Sequence, residues 1–123
     1  MLGVFGISVL VLPVLVTHGF GGHLGASSYA TWAPATVAVA TAEEAFLRGA
    51  LYDAVARARG IDAAVVLGAI AFAALHVPLY GWHVLPLDLA VGLVLGALRV
   101  VSGTWTAPAI AHAGADLVGW WLL

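Results

Sequence analysis

The sequence predicts an all-α protein, a multi-pass transmembrane helical bundle of about five spans. Two observations carry this expectation. Hydrophobic residues make up 63% of the 123 and charged residues only 8%, and the mean hydropathy is +1.10. Soluble domains carry about 25% charged residues, so this chain cannot build a water-facing surface. Turn residues and charges also cut the apolar sequence into five stretches, which suits ~20 residues per span.

The first stretch runs from Gly3 to Thr17. It lacks the basic region that opens a secretory signal peptide, so it reads as a spanning helix despite Pro13. The uncharged connector HGFGGHLGASSYATW follows. A second helix is expected from near Pro34, a residue suited to a first helical turn, through TAEEAFLRGALYDAVARARG to Gly60. The third is expected from Ile61, with Asp62 favourably placed in its first turn, to His76, ending before Pro78. The link LYGWHVLP leads to a fourth helix over Leu87 to Val101, and SGTW opens a fifth from Thr106 to the C-terminus. By domain, 1–33 form an N-terminal membrane helix and connector, and 34–123 a core of four membrane helices.

Arg57, Arg59 and Arg99 fall at links on one side of this arrangement. The positive-inside rule makes that side cytoplasmic, with the N-terminus inside and the chain in the plasma membrane. Trp32, Tyr80, Trp82, Trp120 and Trp121 then collect at the outer interface and Trp105 at the inner one. The net charge of −2 and the absence of a basic run argue against nucleic acid as a partner. The lack of cysteine excludes thiolate chemistry and disulfides.

Glu43, Glu44 and Arg48 interrupt an otherwise apolar helix. Each ionised side chain near the bilayer centre costs about 2.5–3.5 kcal/mol, so the three together cost about 9 kcal/mol unless they pair or face a wet interior. Glu44 and Arg48 are four apart with the acid first, the spacing of an ion pair on one face. Glu43 lies about 100° round the helix from Glu44 and is left pointing elsewhere. A carboxylate held beside a neutralised neighbour is what a general base requires; a structural charge cluster joining helices is the plainer alternative. Phe72 and His76 share a face of the third helix, and His112 and Asp116 a face of the fifth. Ionisable groups inside a membrane are functional-site candidates by default. His18, His23 and His83 read as interface residues, Arg57, Arg59 and Arg99 as topology anchors, and Asp53, Asp62 and Asp88 as helix-end charges.

These motifs resemble the CAAX-protease and bacteriocin-processing (CPBP, Rce1-like) family of intramembrane endopeptidases. Its E-E-x-x-x-R-G motif is similar to EEAFLRG at Glu43, Glu44, Arg48 and Gly49. Its F-x-x-x-H is similar to FAALH at Phe72 and His76, and its H-x-x-x-N/D to HAGAD at His112 and Asp116. The resemblance implies hydrolysis of a peptide or membrane-protein substrate by a water that Glu43 and His76 activate. It makes His112 and Asp116 the groups that steady the oxyanion, with Glu44, Arg48 and Phe72 as positioning residues. Two departures stand out. Many members carry Asn where this chain has Asp116, and an ionised Asp cannot donate to an oxyanion. The family's usual number of spans is about eight, whereas ~20 residues per span gives this chain about five, a shortened core that leaves a place for partner helices or a homo-oligomer.

Three alternatives stand beside this reading. Glu43, His76 and His112 would make a His₂Glu zinc set, although no H-E-x-x-H is present; no cofactor is the favoured expectation. A serine site would have to use Ser27 in the Gly-rich connector. An acid–histidine chain would also serve a non-catalytic scaffold, an immunity-type protein or a proton-conducting subunit.

Overall fold

Every regular element among the described residues is helical. The computed structural model describes residues 1–3, 6 and 28–120. Helix α1 (Tyr29–Glu44) passes without a break into a π-helical segment, Ala45–Leu51, and then into α2 (Tyr52–Arg59). Helices α3 (Ile61–Tyr80), α4 (Leu85–Ser102) and α5 (Thr106–Gly119) follow, with a 3₁₀ turn at Trp82–Val84 ahead of α4. The α1–α2 run and the three later helices make four continuous helical rods among the described residues. Helix α3 packs along α4, α1 along α5, and α2 against α3.

Several boundaries differ from the sequence expectation, and each difference has a physical reason. Helix α1 begins at Tyr29, not at Pro34. Ser28 accepts from the backbone N–H groups of Thr31 and Trp32, so the helix is already nucleated when the proline arrives, and Pro34 forfeits only an early bond. Helix α3 continues past His76 through Pro78 to Tyr80. A proline one turn from the end leaves a single carbonyl without its N–H, and the Gly81 N–H closes the turn on Val77 O at 2.7 Å. The expected link LYGWHVLP is therefore mostly helix, reduced to Gly81 and the 3₁₀ turn. Gly60 alone joins α2 to α3, at φ 90°, where a side chain would be strained.

The packing is inside-out relative to a soluble bundle. The buried face of α3 is Ala64, Gly68, Ala69, Phe72 and Ala73. Its exposed residues include Val66, Leu67, Ile70 and Leu75. Helix α4 likewise buries Gly92 and Gly96 and exposes Leu87, Leu93, Val100 and Val101. At Gly92 a Cβ would stand 2.8 Å from Ala69 Cα, so the two backbones touch only because that side chain is absent. Small residues at helix contacts and large apolar ones outside are the pattern of helices packed in lipid. Ile61–Tyr80 and Trp82–Ser102, of 20 and 21 residues, are long and apolar enough to cross a membrane.

Of the first apolar stretch, Gly3 and Gly6 lie against Ile110 and Ala111 of α5. The remainder of that stretch, the part of the connector up to Ser27 with His18 and His23, and Trp121 lie outside the described residues.

Candidate active site

Three helices meet around the charged residues. Glu43 and Glu44 end α1, Arg48 follows in the π segment, α3 brings Phe72 and His76, and α5 brings His112 and Asp116. Short π segments inside α-helices recur at functional sites, and here one spans the residues that follow the two glutamates.

Glu44 and Arg48 form the buried centre, 0% and 1% exposed. Arg48 Nη1 donates to Glu44 Oε1 at 2.9 Å, so the expected i,i+4 pair is present. Its Nη2 donates to Gly92 O of α4 at 3.0 Å, and the guanidinium lies 5.0 Å from the centre of the Phe72 ring. The sequence reading assigned this pair a positioning role apart from the reactive groups, and in the structure it adjoins them. Glu44 Oε1 also meets His112 Nδ1 at 3.0 Å, across 68 residues of sequence. With Glu44 ionised, the bond requires the proton on Nδ1.

His76 Nδ1 lies 2.9 Å from Phe72 O. A carbonyl only accepts, so this nitrogen carries the proton and leaves Nε2 with its lone pair when the ring is neutral. The Phe72 ring fixes both histidines, with centroids 4.4 Å from His76 and 5.2 Å, edge-on, from His112. Tyr80, which the sequence reading placed at the interface only, stacks on His76 at 5.9 Å. Asp116 Oδ2 is 3.5 Å from His112 Nε2, an ion-pair distance too long for a firm hydrogen bond, on a side chain 40% exposed.

The candidate reactive groups converge. One ligating atom each from Glu43, His76 and His112 lies within 4.8 Å of the other two. Glu43 and His76 are half-buried and His112 is buried. Such a cluster suits a single water or ion bridging the three. As donors they also fit zinc, because each histidine has its Nδ1 held by an oxygen, the outer contact that metal-bound imidazoles usually make.

A family model described as type II CAAX prenyl endopeptidase Rce1-like matches residues 25–118. The chain belongs to this family. The Rce1-like family is one of membrane proteases, and its match takes in all three motif segments and every residue of the cluster. No curated protein and no solved structure shows significant similarity to the chain.

Besides Tyr80, sequence reasoning missed three further contributors to this Rce1-like site. The Gly92 carbonyl carries no sequence signal at all. Arg99 and Asp53, read as a topology anchor and a helix-end charge, pair at 3.0 Å, and Arg99 Nε donates to Arg48 O at 2.9 Å. An arginine closing an apolar helix with a distant unpaired acid was the available hint.

Proposed function

We propose that this chain is an intramembrane endopeptidase that hydrolyses a peptide or membrane-protein substrate with a water activated by Glu43 and His76. The convergence of Glu43, His76 and His112 within 4.8 Å carries the reading. The protein would be a five-span bundle in the plasma membrane with a cytoplasmic N-terminus, a topology that rests on the arginine distribution and the inside-out packing.

In this mechanism Glu43 takes a proton from the water while His76 Nε2 orients it through its lone pair. The hydroxide oxygen bonds to the scissile carbonyl carbon, and the carbonyl electrons move onto oxygen. His112 donates from Nε2 to that oxyanion. Such donation needs both ring nitrogens protonated, and Glu44 at Nδ1 and Asp116 near Nε2 flank the cation with carboxylates. This arrangement gives Asp116 a use that does not require it to donate. When the tetrahedral species collapses, the C–N bond breaks and the proton held by Glu43 passes to the leaving amine. Arg48 and Phe72 keep Glu44 and the two rings in place throughout.

A second reading has support from the same cluster. Glu43, His76 and His112 would hold a zinc ion, which when bound would supply Lewis-acid polarisation of the carbonyl. The metal-free form is favoured because the chain lacks H-E-x-x-H.

The test is cleavage by purified protein in proteoliposomes. The probes are a farnesylated CAAX peptide and an unprenylated hydrophobic peptide, each internally quenched. Glu43→Gln, His76→Ala and His112→Ala are each expected to lower cleavage by about 10²-fold or more. Unchanged cleavage in all three, or no cleavage of any probe by the native chain alongside proton conduction that the same changes abolish, would overturn the protease reading.

A further inference from the structure

Arg99 lies outside the three motifs, yet it bonds directly to the backbone of the segment that carries the first of them. Its side chain is 15% exposed and reaches from α4 to the π segment. Nε donates to Arg48 O at 2.9 Å, Nη2 donates to Asp53 Oδ1 at 3.0 Å, and the guanidinium lies 4.6 Å from the centre of the buried Tyr52 ring. These partners straddle the end of the π segment, where the Tyr52 N–H reaches back to both Leu47 O and Gly49 O.

Gly92 and Arg99 are seven residues apart, two turns of α4, and therefore share a face. Arg48 is tied to that face twice. Its side chain donates to Gly92 O, and its own carbonyl accepts from Arg99. We propose that Arg99 is a positioning residue that locks the π register of Ala45–Leu51, and so holds Glu43 and Glu44 against His76 and His112. The proposal rests on the reading of that cluster as the reactive site.

The physical case is one of register. A π segment carries an extra residue compared with an α-helix, and losing it turns everything on the N-terminal side by about 100° relative to α2. Such a turn would carry Glu43 away from the histidines and break the Glu44–His112 bond. The bond to Arg48 O opposes this slip because it fixes the one backbone carbonyl between those that Tyr52 engages. Asp53 and the Tyr52 ring hold the guanidinium plane so that Nε faces that carbonyl. A topology anchor would need only a positive charge, and lysine serves as well as arginine for that purpose. A lock needs a planar fork with several donors, which lysine lacks.

Arg99→Lys therefore separates the two roles. The reporter is the proton on His112 Nδ1, observed by NMR of nitrogen-15 histidine-labelled full-length protein in micelles and assigned by its absence from His112→Ala. Arg99→Lys is expected to lose this resonance and to lower kcat for whichever quenched peptide the native chain cleaves by about tenfold or more at unchanged KM. Asp53→Ala changes a half-exposed residue about 13 Å along the helix from Glu44, and is expected to weaken the same resonance. It carries the decision if Arg99→Lys does not fold. Native-strength resonances in both variants, or in Asp53→Ala alone when Arg99→Lys cannot be purified, would overturn the proposal. The resonance decides it even where no probe is cleaved, so failure of the protease reading, seen as indifference to Glu43→Gln, is recorded separately.

Discussion

Replacing Arg48 by methionine removes a buried cation and preserves most of its volume. Glu44, 0% exposed, then loses its nearest positive charge. Breaking a buried ion pair from one side costs about 3–5 kcal/mol, and here the carboxylate stays desolvated with the bond from His112 left to it. Gly92 O loses its donor at the same time, which alone is worth about 1–3 kcal/mol. The two losses share one side chain and overlap, so we expect about 4 kcal/mol in total. Adding Glu44→Gln removes the stranded charge, while the new amide oxygen can still accept from His112. The double variant should therefore be more stable than the sum of its single changes by about 2 kcal/mol. Reversible unfolding in mixed micelles, driven by a rising fraction of denaturing detergent, measures all four corners of the cycle. A loss below about 1 kcal/mol for Arg48→Met, or strict additivity, would refute the claim that this pair holds the site together.

Further predictions follow from single contacts. Gly92→Ala puts a methyl against the backbone of Ala69, should cost about 1–3 kcal/mol, and should displace the carbonyl that Arg48 uses; unfolding at native midpoint would contradict it. Phe72→Leu removes the ring between Arg48 and the two histidines, and cleavage should fall more than stability does, read from rates and unfolding midpoints together. Asp116→Asn keeps a polar group beside His112 Nε2 and should retain cleavage within about tenfold, whereas Asp116→Leu should lose more. Dialysis against a strong chelator should leave cleavage unchanged in the metal-free mechanism; loss restored by zinc alone would favour the second reading.

Much of the site was legible because its chemistry is written at helical spacings. Glu44 with Arg48, Phe72 with His76, and His112 with Asp116 are each four apart, and each pair meets as that spacing requires. What the sequence could not convey lies in two kinds of information. Long-range pairings such as Glu44 with His112 and Arg99 with Asp53 follow from helix packing, and no local period encodes them. The π segment is a shift of one residue in hydrogen-bond register, and AFLRGAL has the composition of ordinary helix. Pro34 and Pro78 misled the boundaries because proline breaks a helix only where the bond it removes is needed. The apolar character of the chain, in contrast, reappears directly as exposed valine and leucine on α3 and α4.

The central claim is that Glu43 activates a water that cleaves a peptide bond. It is tested most directly by cleaving a peptide probe in water enriched in heavy oxygen, with chelator present, and weighing the product. The account predicts one solvent oxygen in the new terminal carboxylate for the native chain, and no product from Glu43→Gln that remains folded by circular dichroism. Product at the native rate from Glu43→Gln would contradict it.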